Sequence, residues 1–141
     1  MDAERWQTTG EVLDWSNAHT KKAATRVMGI LNTTPDSFSD GGDFVALSTA
    51  IDHARKMIEE GATIIDVGGE SSRPGAEPVD VEIEMNRVIP VIEGIRRFSE
   101  VTISVDTVKA AVALAAVNAG ANIVNDISAG RHDEHMFDVV R

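Results

Sequence analysis

Residues 61–66 read GATIID, and the pattern returns at residues 120–125 as GANIVN. Each copy is a glycine stop, a tight turn and a short apolar run of strand type. Their separation fits two strand–helix units of roughly 30 residues each. Working outward, the same alternation covers the chain from Val27 onward. Strands are expected at about 27–32, 63–67, 101–105 and 122–127. The first helix is expected at about 46–60, with Leu47, Ala50, Ile51, Ala54, Met57 and Ile58 at helical spacing and Gly61 as its stop. A longer helix follows Asp80 as its cap. Glu82 and Glu84 in its first turn suit the helix dipole, and Met85, Val88, Ile89, Ile92 and Ile95 form its stripe. Pro90 lies inside that stripe and is expected to kink the helix or mark a fresh start. An Ala-rich helix is expected at about 108–118, and a last one begins near Asp133. Strands alternating with helices imply parallel pairing and right-handed crossovers. On the residues alone, a doubly wound sheet and a (β/α) barrel are both open.

The chain has 141 residues, 43% hydrophobic and 26% charged, which is ordinary for one soluble domain. Residues 1–26 are polar and weakly patterned; they read as a leader or as a cap over one end of the core. There is no cysteine, so disulfides and thiolate zinc sites are excluded, in keeping with a cytoplasmic setting. No apolar run reaches the length of about 18 that a membrane span needs. A net charge of −10 argues against nucleic acid as a partner. It also raises the question of which cations would meet an anionic substrate.

Polar groups gather where the expected strands end: Asn32, the Gly68-Gly69-Glu70 turn, Asp106 and Asn125-Asp126. In a parallel α/β architecture these ends share one face, where sites are built. An amide oxygen such as that of Asn32 is a hard ligand suited to Mg²⁺. A carboxylate such as Asp106 accepts two adjacent N–H donors in its plane. The amide of Asn125 offers both a donor and an acceptor. Asp126 alternates away and is expected to pair with a backbone donor or a neighbouring helix.

Four segments carry a more specific signal. VMGILNTTPDSFSDGG (27–42) and TIIDVGGESSRPG (63–75) closely resemble the signature segments of the dihydropteroate synthase family. The shorter SVDT (104–107) and the NIVNDI run (122–127) follow in the family's order. The resemblance selects the barrel: an α/β fold of the (β/α)8 TIM-barrel family. Such barrels take about 250 residues. Residues 27–141 would then be the N-terminal half of a pterin-binding barrel, truncated after about four strand–helix units.

The resemblance also implies a reaction. p-Aminobenzoate would displace diphosphate from 6-hydroxymethyl-7,8-dihydropterin diphosphate, giving 7,8-dihydropteroate in folate biosynthesis. By that resemblance Asn32 binds Mg²⁺ near the diphosphate, and Asp106 and Asn125 hold the pterin. Asp36 and Phe38 stand on a first loop that covers the reacting centre. Ser72 and Arg73 stand on a second loop that forms part of the p-aminobenzoate pocket, with Ser72 where many members have Thr. Asp36, Phe38 and Arg73 are the implied catalytic residues. The family's further pterin-binding Asp, its Lys and its phosphate-gripping Arg-x-His belong to later strands, beyond Arg141; most of the expected cations lie there. A homodimer is implied for the full-length protein, with neither nucleic acid nor membrane as a partner. Two alternatives stand beside this reading: a pterin-binding methyltransferase domain, and an inactive fragment that binds pterin at most.

Overall fold

The computed structural model describes residues 25–34, 42–71 and 75–141, with backbone alone for 42–45. Eight elements alternate along it: β1 (Met28–Asn32), α1 (Gly42–Glu59), β2 (Ile64–Gly68), α2 (Val81–Arg96), β3 (Thr102–Asp106), α3 (Ala110–Ala119), β4 (Ile123–Asn125) and α4 (Met136–Val140). The strands form one sheet in the order β1-β2-β3-β4, every pair parallel. The expected leader, residues 1–26, lies almost wholly outside the described residues.

The repeat that opened the sequence reading corresponds to two equivalent corners. Gly61 ends α1 at φ 107° and Gly120 ends α3 at φ 116°, both in the left-handed region that side chains disfavour. After each glycine the next backbone N–H reaches back into its helix, Ala62 to Met57 and Ala121 to Ala116. The chain then turns directly into a strand.

Alternate strand residues serve two different faces. Leu31, Ile65, Val67, Ile103 and Val105 point to the helices and are fully buried against Val88, Ile92 and Ile95 of α2. Burying each such side chain contributes about 1.5–3 kcal/mol. The register assigns Met28, Ile64 and Thr102 to the opposite face, followed by Ile30, Asp66, Ser104 and Ile123. Neighbouring helices pack on one another in chain order. A sequential strand order with right-handed crossovers puts all the helices on one face of the sheet. That is the arrangement of successive units of a (β/α) barrel; a doubly wound sheet reverses its order midway. The other face stays open along its first edge, where Ile30 is 53% exposed.

Three local expectations are corrected in whole or in part. Of the kink or fresh start expected at Pro90, the fresh start is absent: helix α2 runs unbroken through it. The carbonyl that loses its donor belongs to Asn86, which is exposed, so water can satisfy it. Asp80 holds the N-cap position of α2 but makes no side-chain cap bond. Asp133 does not start the last helix, which begins at Met136. Instead its carboxylate accepts the Ala110 N–H at the start of α3 and the His135 N–H.

Candidate functional site

One register row crosses the C-terminal ends of all four strands: Asn32 pairs with Gly68, Gly68 with Asp106, and Asp106 with Asn125. Paired residues of parallel strands share a face, and adjacent strands lie about 4.8 Å apart. Asn32, Asp106 and Asn125 therefore stand side by side on the open face, interrupted only by Gly68. A Cβ at Gly68 would lie 3.6 Å from Asp106 Oδ2 and 3.7 Å from Asn32 Oδ1. The missing side chain leaves a gap bounded by a carboxylate oxygen and an amide oxygen. Among the described residues no group of three or more His, Cys, Asp or Glu is placed to hold a metal ion. The donor set at Gly68 is two hard oxygens, which suits an ion that keeps water or phosphate oxygens in its remaining positions.

Asp106 is half-buried in strongly negative surroundings. Burial raises its carboxyl first, and the charges of Asp66, Glu84, Asp126 and Glu70 raise it further, to about 6. Asp126 turns away to backbone donors, accepting the Ser128 and Gly130 N–H groups, each at 2.7 Å. Burial alone would raise Asp126, but those bonds outweigh it and hold it low.

A second network ties down the loop that follows β2. Lys109, just before α3, donates to both Glu70 and Glu84, each at 2.5 Å. Glu70 also accepts the Val79 N–H at 2.9 Å, so the two ends of the 70–79 segment meet at one carboxylate. Arg87 of α2 donates to the Gly69 carbonyl at 2.8 Å. Gly69 is required there, because a Cβ would come within 2.9 Å of Val88 Cγ1 and 3.1 Å of the Glu84 backbone. Burial alone would lower the Lys109 ammonium and raise Glu70. Their mutual hydrogen bond and charge reverse both, leaving Lys109 raised and Glu70 lowered. A cleft of about 40 Å³ lies between this network and Asp106, lined also by Ser71, Thr107, Val108 and Ile127.

The structure thus brings three of the sequence-predicted residues, Asn32, Asp106 and Asn125, into one row. Asp36, Phe38, Ser72 and Arg73 lie outside the described residues. Two residues gain places that sequence reasoning did not give them. Glu84, read there as a first-turn dipole partner, is 1% exposed and paired with Lys109. Asp66 is buried inside β2 and accepts from the Asn125 amide, Nδ2 to Oδ2 at 3.2 Å. The signal for Asp66 was present: a lone charge within an apolar strand, at the repeat position matching Asn125.

Sheet order and one-sided helices define a segment of a (β/α) barrel, with a polar row at its strand ends. Residues 28–141 match the family described as pterin binding enzyme, and the chain belongs to it. Dihydropteroate synthase of Bacillus subtilis is 58% identical over 127 residues, covering 86% of this chain and 45% of the relative. The dihydropteroate synthase of Clostridium difficile, solved in the presence of pteroic acid, superposes with a TM-score of 0.79 at 52% identity, over 82% of this chain and 44% of that one. The Xanthomonas albilineans enzyme, solved with 4-aminobenzoic acid, gives 0.77 at 51%, over 82% and 42%. The chain therefore spans under half the length of these relatives. No helix among the described residues is long and apolar enough to cross a membrane.

Proposed function

We propose that this chain supplies the pterin-holding half of a dihydropteroate synthase active site. The observation that carries the reading is the register row Asn32–Gly68–Asp106–Asn125 on the open face of the sheet. Asp106 and Asn125 bind the pterin, the carboxylate accepting ring N–H donors and the amide completing the edge. In the reaction the amine nitrogen of p-aminobenzoate forms a bond to the methylene carbon of the pterin. The bond from that carbon to the diphosphate oxygen breaks, and the amine loses its proton. Asn32 would hold Mg²⁺ beside the diphosphate; when bound, the ion neutralises charge on the leaving group. Asp36 and Phe38 on the first loop, and Ser72 and Arg73 on the second, close over the reactants and exclude water. The clamp of Lys109, Glu70 and Glu84 sets the base of that second loop. The complete protein is proposed to be a cytoplasmic homodimer.

Residues 1–141 alone are proposed to bind pterin without turnover, because the face opposite the helices is uncovered along β1. Calorimetric titration with pterin diphosphate, beside an assay for dihydropteroate, tests both statements. Asp106→Asn in the intact polypeptide should weaken pterin binding by about 1.5–3 kcal/mol, the scale of a charge-assisted hydrogen bond. Unchanged affinity in the folded variant refutes the pterin role. Asn32→Ala should shift the Mg²⁺ dependence of product formation and leave free-pterin affinity in place; the reverse pattern would make Asn32 a pterin ligand.

A further inference from the structure

We infer that Asp66 is a positioning residue that locks the Asn125 side-chain amide in one orientation, so that its oxygen and its second N–H meet the ligand at fixed places. The ligand class rests on the pterin reading above; the amide geometry does not.

Asp66 is 3% exposed, and its Oδ2 accepts from Asn125 Nδ2 at 3.2 Å. An ionised carboxylate only accepts, so only the NH₂ end of an amide can face it. Turning the Asn125 amide over would set two acceptor oxygens against each other in a buried site. One of the two Nδ2 hydrogens is therefore committed to β2, while Oδ1 and the second N–H stay available to a ligand at set places. The register puts Asp66 one step below Gly68 on the same face, so it supports the polar row from beneath.

Stability gives no reason for a carboxylate at this position. Its Oδ1 is buried without a partner among the described residues, as is the hydroxyl of Ser104, its register partner on β3. On the β1 side its register partner is Ile30. A buried polar atom left unpaired costs stability, and such groups persist where function requires them. With the amide fixed, its oxygen and its second N–H hold set places beside the Asp106 carboxylate on the adjacent strand. A ligand whose donor and acceptor are exchanged leaves buried groups unpaired, the arrangement that discriminates most strongly.

The test uses the intact polypeptide carrying this sequence and two probes, 6-hydroxymethylpterin and 6-hydroxymethyllumazine. The lumazine has a carbonyl where the pterin has its 2-amino group. Asp66→Asn frees the Asn125 amide to turn. The preference for pterin over lumazine should fall about tenfold or more, with a melting temperature equal to or above wild type. A preference within twofold of wild type in the folded variant overturns the inference. Should Asp66→Asn fail to fold, Asp66→Ala removes the locking acceptor and should lower the preference likewise. A preference within twofold of wild type again overturns the inference. A wild type that binds neither probe overturns the pterin reading instead. The inference is then judged by the Asn125 side-chain ¹⁵N–¹H signals, which Asp66→Asn must shift to sustain it and leaves unmoved to refute it.

Discussion

Replacing Lys109 by Met removes a charge and keeps most of the side-chain volume. In the wild type the ammonium sits between Glu70 and Glu84 with 13% of its side chain exposed. The two carboxylates do not suffer equally from its loss. Glu70 is 24% exposed and keeps the Val79 N–H, so water and that donor can still serve it. Glu84 is 1% exposed, and its Oε1 already lacks a partner among the described residues. Removing one member of a buried pair costs about 3–5 kcal/mol, because the other charge stays buried and uncompensated. Backbone relaxation toward the cleft beside Asp106 gives some relief, so the lower end, about 3 kcal/mol, is expected. Urea unfolding followed by circular dichroism measures it. Adding Glu84→Met to Lys109→Met removes the stranded charge and should recover most of the loss. A single variant within about 1 kcal/mol of wild type, or a double variant no better than the single, refutes this account. The pH window follows from the same pair. The folded pKa of Lys109 is raised, so its contribution is present below the ordinary 10.5 and lost as pH climbs through the raised value. That of Glu70 is lowered, so its contribution is present above the ordinary 4.5 and lost as pH falls through the lowered value.

Three further outcomes are expected. Gly68→Ala meets only ordinary contacts of 3.5 Å and longer, so the fold should hold within about 1 kcal/mol while pterin affinity, read by calorimetry, drops at least tenfold as the methyl fills the gap between Asn32 and Asp106. Because Asp106 is pushed up to about 6 and accepts donors with both oxygens only when ionised, pterin affinity should fall as pH drops through that value and level off above it; a flat profile from pH 5 to 7 would remove Asp106 from the contact. Arg96→Ala should lower stability by about 2–4 kcal/mol in thermal or urea unfolding, since its guanidinium serves the carbonyls of Gly120, Ser99 and Val101 and the side chain of Asn122 at the corner before β4.

The strands and helices were legible because glycine stops and apolar runs are local signals. GATIID and GANIVN announced two of the four strand entries, and Asn32, Asp106 and Asn125 were found by asking what stands at strand ends. What escaped was tertiary. Glu84 reads as an ordinary first-turn acid, and only the approach of Lys109 from the start of α3 makes it a buried ion. Asp133 reads as a helix start, yet it caps α3, a partner 23 residues back along the chain. Pro90 reads as a kink or a fresh start because its sequence position is visible, whereas the solvent beside Asn86 is not. Asp66 was quoted within a repeat and not weighed as a site residue. Its partner, 59 residues away, becomes visible only once β2 and β4 flank β3.

The division of each strand between two faces has a consequence for how this protein can vary. Positions 31, 65, 67, 103 and 105 answer to the helices, and positions 32, 66, 68, 106 and 125 lie on the opposite face, which carries the proposed pterin site. Neighbours in the chain are thus under separate selection. In a saturation library sorted independently for cellular abundance and for growth, the first set should fail the abundance sort. The second should pass it and fail the growth sort, with the two phenotypes alternating residue by residue along β2 and β3. Changes at the proposed pterin row can then arise along one set of positions while the other keeps the sheet in place.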